Sequence, residues 1–296
     1  MILRDKPTLF ELAFAIRGSI VPIIAPQLMA LMLFAAAMVW LHDAMPGFPD
    51  IDATAFTVFG VALSLFLGFR NNAAYDRWWE ARKLWGGLLA DLRNFARETQ
   101  LFLDDREQQQ RIIRLSLAFL HLHRINLRKV ELDERTREMV GDLAKSPNPA
   151  CAALDEISAI VGKARADGTL DGFGSRTLAE RIASIAAQQA GCERIAVTPL
   201  PYVYSLLIYR TTFLYCLLLP LALVAATGWL TPFFVGIVGY VFLGLAEVTE
   251  DLSHPFGNTP NALPLDAICR TAEISLAPHL GETPPEPLRA QDYYLS

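Results

Sequence analysis

Three runs of the chain carry no Asp, Glu, Lys or Arg: Gly18 to Leu41, Ala53 to Phe69 and Thr211 to Ala246. A helix needs about 20 apolar residues to cross a bilayer, so the first run suffices for one crossing. The second is slightly short, but its helical pattern continues through Trp79, which predicts one long helix. The third covers 36 positions and is broken by TGWLTP at Thr227 to Pro232. The Gly and Pro of that break, with Trp229 at an interfacial level, predict a tight connection between two crossings. Four membrane helices are therefore expected. Between the second and third runs the pattern changes. Trp85 to Leu103, Glu107 to Asn126 and Leu178 to Ile195 carry apolar residues at three- and four-residue spacing among polar ones. That is the signature of amphipathic helices in water. KSPNPA and ADGTLDGFGS are turn-rich breaks between them, and GFGS, Gly172 to Ser175, reads as a turn rather than a phosphate loop.

The join between the two regimes is VALSLFLGFRNNAAYDRWWEARK, Val61 to Lys83. Val61, Leu65 and Phe69 recur every four residues, and a polar stretch follows with no turn between. Several copies around an axis would make the stripe a hydrophobic constriction opening into a polar vestibule. Packing against helices of the same chain is the competing reading, and periodicity by itself favours it.

Charge supplies direction. Arg4, Lys6 and Arg17 precede the first run, Arg70, Arg77, Arg82 and Lys83 follow the second, and the loop between carries only Asp43, Asp50 and Asp52. By the positive-inside rule both termini and the central insert face the cytoplasm, which predicts a multi-pass membrane protein. The first run lacks a small-residue cleavage site and reads as an uncleaved segment. With 296 residues, 53% of them hydrophobic, and a mean hydropathy of +0.30, the chain is more apolar than a soluble domain requires. A net charge of -5 and mixed charge signs exclude a nucleic-acid partner.

No catalytic constellation emerges, so the chain is not expected to be an enzyme. His121 and His123 lie two apart and face different ways on a helix, Ser205 has no His partner, and the four cysteines have no metal or redox spacing. Reduced, structural thiols and no metal site are expected. Asp76, Arg77, Glu80 and Arg82 are expected to pair between helices, with Trp78 and Trp79 packing at the interface. Arg210 sits in apolar sequence near the start of a crossing, where it can snorkel.

Four blocks give the chain a family resemblance: RGSI at Arg17 to Ile20, SLFLGFRNNAAYDRWWEARKLWG at Ser64 to Gly86, TPLPYVYSLLIYRTTFLYC at Thr198 to Cys216, and EDLSHPFGNTPNALPLD at Glu250 to Asp266. In these the sequence resembles a bacterial member of the bestrophin family. The resemblance implies an all-α membrane protein, a homopentameric ion channel with four membrane helices per subunit and a large cytosolic helical region. It implies a membrane hairpin with a long second helix over 1–102, a cytosolic helical region over 103–197, a second hairpin over 198–248 and a cytosolic segment over 249–296. It makes Val61, Leu65 and Phe69 the pore neck and puts Arg70, Asn71 and Asn72 at the vestibule. It adds a cytosolic constriction for which Ile182, Ile185 and Ile195 are the candidates. The partners implied are further copies of the chain, membrane lipid and small monovalent ions, chloride and other anions by family with cations open. Animal members carry a calcium clasp whose acidic run follows Pro-Phe-Gly. Here Asn258, Thr259, Pro260 and Asn261 follow Pro255, Phe256 and Gly257, so no calcium cofactor is expected. The competing functions are an oligomeric transporter and a membrane-tethered sensor or scaffold. The first wants repeats and buried ionisable groups that are not evident, and the second would lack a passage.

Overall fold

The computed structural model describes residues 1–2, 8–16, 18–45, 47–48 and 51–296. Arg4, Lys6, Arg17 and Asp50, used above for orientation, lie outside the described residues. Ten α-helices follow in order among the described residues: α1 Leu9–Phe14, α2 Val21–Ala44, α3 Ala53–Phe102, α4 Arg106–Arg128, α5 Glu134–Val140, α6 Pro149–Ala166, α7 Gly172–Val197, α8 Tyr202–Thr227, α9 Thr231–Leu252 and α10 Leu265–Leu280. No strand occurs among those residues, only isolated bridges of Tyr294 to Ile2 and Gln291. The fold is all-α. Three helical segments, Val21–Ala44, Ala53–Phe102 and Tyr202–Leu252, are long and apolar enough to cross a membrane. The last comprises α8 and α9, joined by a 3-10 turn at Gly228–Leu230. Gly228 takes φ 51 there, a left-handed conformation that only glycine adopts cheaply.

The chain divides into two compact units. The expected blocks ended at 102, 197 and 248, whereas the units meet at 78/79, 198/199 and 254/255. The first unit holds α1, α2, α3 as far as Trp78, α8 and α9. Ile24, Leu31 and Ala35 of α2, Leu63 and Leu67 of α3, Ile208, Cys216 and Leu219 of α8 and Val235 and Leu243 of α9 form one buried cluster. α2 and α9 approach closely because α9 offers glycine at the contact. A Cβ on Gly244 would lie 2.7 Å from Ile20 Cδ1, and one on Gly239 3.1 Å from Leu28 Cδ1. With little hydrophobic drive between helices in lipid, such close approach is how their packing gains contact.

The second unit holds the rest of α3 with α4, α5, α6, α7 and α10. Trp85, Leu88, Leu92 and Phe95 of α3, Ile112 and Phe119 of α4, Ile157 of α6 and Leu178 and Ile185 of α7 are fully buried. The helices begin on side-chain caps: Asp105 accepts from the Glu107 and Gln108 amides, Asp133 from Thr136, Asn148 from Cys151 and Asp171 from Gly174. Each satisfies amide donors that the first helical turn leaves open. The Asp171 cap corrects the reading of GFGS. Gly172 to Ser175 form the first turn of α7, not a loop.

Candidate functional site

The 50 residues of α3 make one helix about 75 Å long at 1.5 Å per residue. Its two faces have opposite fates. Leu63, Leu67, Arg70 and Ala74 are buried within the first unit. Val61, Leu65 and Phe69 are 57%, 57% and 63% exposed, and Asn72 and Asp76 are exposed beyond them. At 100° per residue, counted from Val61, Leu65 stands at about 40°, Phe69 at about 80°, Asn72 at about 20° and Asp76 at about 60°. These five therefore share one stripe, apolar at one end and polar at the other. The alternative that Val61, Leu65 and Phe69 pack against the chain's own helices is not what the fold does with them.

Arg70 stands about 180° from Val61 and is 4% exposed. Its Nη2 donates to Glu250 Oε2 at 2.8 Å and to Ser205 Oγ at 3.0 Å. This corrects its assignment to the vestibule: a guanidinium among apolar helices must be paired, and the pairing carboxylate lies on α9, behind the exposed stripe. Asn71 is half-buried and its Oδ1 accepts from Thr249 Oγ1 at 3.4 Å. Of the three vestibule candidates, Asn72 is on the stripe. Asp76 was not among them, although its spacing of seven from Phe69, two helical turns, carries the signal. Arg77 Nε donates to the Ser253 carbonyl at 2.9 Å, Glu80 pairs with Arg194, and Arg210 is exposed.

Among the candidates for the second constriction, Ile185 and Ile195 are buried in the second unit at 0% and 3% exposure. They are core residues, since each falls on the face of α7 that packs inside the unit. Ile182 is half-buried. His121 and His123 do point to different surroundings. His121 Nε2 lies 2.9 Å from Glu273 Oε1, whereas His123 is fully buried between Trp85 and Phe119, with centroids 5.6 and 5.9 Å away. Burial lowers the His123 pKa to about 4. Asp266 binds Arg124 and Arg128. Burial alone would raise its pKa, but the two guanidiniums outweigh it and hold the carboxyl below its usual range.

All four cysteines are free thiols. Burial pushes Cys192 up to about 12 and Cys269 higher still, so both are poor thiolates. The segment after Pro255 is occupied with its own chain: Asn258 Oδ1 accepts from the Tyr294 hydroxyl at 2.9 Å, and the Pro255 carbonyl from the Leu263 amide at 2.8 Å. Among the described residues no three His, Cys, Asp or Glu side chains converge as a metal site would need.

The family model for bacterial/fungal bestrophin proteins matches residues 1–278. The chain belongs to the bestrophin family. Its relatives include proteins named voltage-dependent anion channel-forming proteins. One from Mesorhizobium japonicum is 43% identical over 100% of this chain and 97% of its own length. Another, from Escherichia coli, is 37% identical over 93% of each. The crystal structure of a bacterial bestrophin homolog from Klebsiella pneumoniae superposes with a TM-score of 0.83 at 31% identity, covering 88% of this chain and all of that one. For this bestrophin the apolar helices and the family together make it a membrane protein of a channel family.

Proposed function

We propose that five copies of this bestrophin surround an axis and conduct small monovalent anions through a pore whose neck is Val61, Leu65 and Phe69. The observation that carries this is the split of α3 into a buried face and an exposed apolar stripe that runs into exposed Asn72 and Asp76. The names of the relatives support anions. Each subunit crosses the inner membrane four times, with both termini and the helical unit in the cytoplasm. Rings of Leu65 and Phe69 offer an ion neither charge nor hydrogen bonds, so the neck acts as a gate that opens by wetting. Ile182 is the remaining candidate for the cytosolic constriction.

Replacing Leu65 or Phe69 with alanine raises ion flux through reconstituted vesicles, because removing bulk lowers the barrier to wetting. Unchanged flux in both variants, with the assembly intact, would move the limiting constriction elsewhere. Native mass measurement tests the stoichiometry, and a homogeneous dimer would end the central-pore reading.

One feature favours a second reading, cation conduction. Asp76 lies seven residues past Phe69, about 10 Å along the helix, so a pentamer carries five carboxylates just beyond the neck. A narrow entrance lined by one sign of charge concentrates ions of the opposite sign. Asp76→Asn therefore shifts the reversal potential in a salt gradient toward anions, and Asp76→Lys shifts it further. An unchanged reversal potential in both would leave selectivity to the neck. Calcium is not an activator in this reading, since Asn258, Thr259 and Asn261 bring no charge to offset its dehydration. Currents hold their size when a chelator removes micromolar calcium, and their disappearance would point to ligands elsewhere.

A further inference from the structure

In the second unit α3 sorts its charged side chains by sign. Counted from Trp79 at about 100° per residue, Glu80 stands at about 100°, Asp91 at about 120° and Glu98 at about 100°. All three carboxylates turn to α7, where Glu80 pairs with Arg194, and Asp91 and Glu98 pair with Arg181. The bases stand elsewhere: Arg82 at about -60°, Arg93 at about -40°, Arg97 at about 0° and Lys83 at about 40°. Arg82, Lys83 and Arg97 are exposed. Arg93 donates to Ser275 Oγ and Arg97 to Asn94 Oδ1, each at 3.0 Å, and among the described residues no carboxylate pairs with any of the four. Between Lys83 and Arg97 this face carries Gly86 and Ala90, whose side chains are too short to shield the charge.

Helix stability does not explain the sorting. Like charges four residues apart, as Arg93 and Arg97 are, destabilise a helix, whereas opposite charges at that spacing stabilise it. A face that only met solvent would gain from mixed signs. The chain has an excess of acids, with a net charge of -5, yet places none on this face. The bearing of the face ties it to the neck. α3 is one helix, and the eighteen residues from Val61 to Trp79 make five whole turns, so the basic face repeats the bearing of Val61, Leu65 and Phe69.

We propose that Lys83 and Arg97, flanked by Arg82 and Arg93, set the preference for anions: each copy presents this face to the cytosolic passage, where it concentrates small anions beyond the neck and outweighs the Asp76 carboxylate. The inference rests on the pore reading above. A passage lined by one sign of charge enriches ions of the other. Reversal potentials in a potassium chloride gradient, across bilayers holding the purified protein, test it. Lys83→Glu combined with Arg97→Glu lowers the chloride-to-potassium permeability ratio about tenfold, the low end of the enrichment that a charge-lined cleft produces. The parent ratio rises as salt is diluted and screening weakens, and the variant loses that rise. Lys163→Glu combined with Arg165→Glu makes the same change in net charge on the exposed side of α6 and leaves the ratio in place. A conducting parent whose ratio survives the first double variant, or falls equally in the second, overturns this inference alone. A parent that passes neither ion overturns the pore reading and this inference with it. Where charge reversal disturbs the assembly on gel filtration, Lys83→Gln combined with Arg97→Gln shifts the ratio the same way by a smaller factor, and an unchanged ratio there overturns the inference.

Discussion

Glu250→Ala lowers the apparent melting temperature of the purified protein by roughly 6–12 °C, corresponding to about 3 kcal/mol. The substitution leaves Arg70 buried with the Ser205 hydroxyl in place of a carboxylate. Breaking a buried pair from one side costs about 3–5 kcal/mol because the surviving charge is uncompensated. The low end applies here, since Glu250 itself is half exposed. The pair differs from its removal altogether. Arg70→Met combined with Glu250→Met takes away both charges at similar volume and recovers most of the loss. Thermal unfolding of the three variants followed by intrinsic fluorescence checks this. A single Glu250→Ala variant as stable as the parent would mean that the ion pair does not hold α3 to α9.

Acid weakens the second unit through His123. Its folded pKa of about 4 lies below the ordinary value of 6.5. As pH falls through this window the unfolded chain takes up a proton that the folded chain refuses. Stability is therefore full above about pH 6.5, declines below it and levels off below the folded value. The loss amounts to roughly 2–3 kcal/mol by pH 4.5. Both ring nitrogens lack a partner, so no hydrogen bond is given up when the ring is exchanged. His123→Phe keeps an aromatic ring between Trp85 and Phe119 and is expected to abolish this component. Denaturant titration of parent and variant at pH 7.5 and 4.5 measures the difference. Parallel losses in the two proteins would assign the acid sensitivity to other groups. Burial would raise the carboxyls of Asp266 and Glu273, but Arg124 and Arg128 outweigh it at Asp266, and His121 followed by Arg135 and Arg270 outweigh it at Glu273, so both are held below their usual values and their stabilisation disappears only at lower pH.

Local sequence carried the features that depend on a few consecutive turns. The uncharged runs predicted the apolar helices because hydrocarbon tolerates a backbone only when its own hydrogen bonds are closed. The four-residue spacing of Val61, Leu65 and Phe69 predicted their shared face, and the missing turn before Arg70 predicted one continuous helix. GFGS misled for a related reason. Glycine-rich composition suggests a turn, but Asp171 one residue earlier supplied the cap that starts a helix.

What the sequence by itself determined about this protein is which residues share a helix face and which helices suit lipid, because helical geometry repeats every 3.6 residues whatever surrounds it. Only the tertiary structure decided which face is covered. It turned Arg70 away from the stripe toward Glu250, 180 residues later in the chain. It put Ile185 and Ile195 in a core, and it left Asp76 exposed in line with Val61, Leu65 and Phe69. The partner of a side chain is chosen by packing between distant segments, and buried charge enforces that choice through the cost of leaving it unpaired.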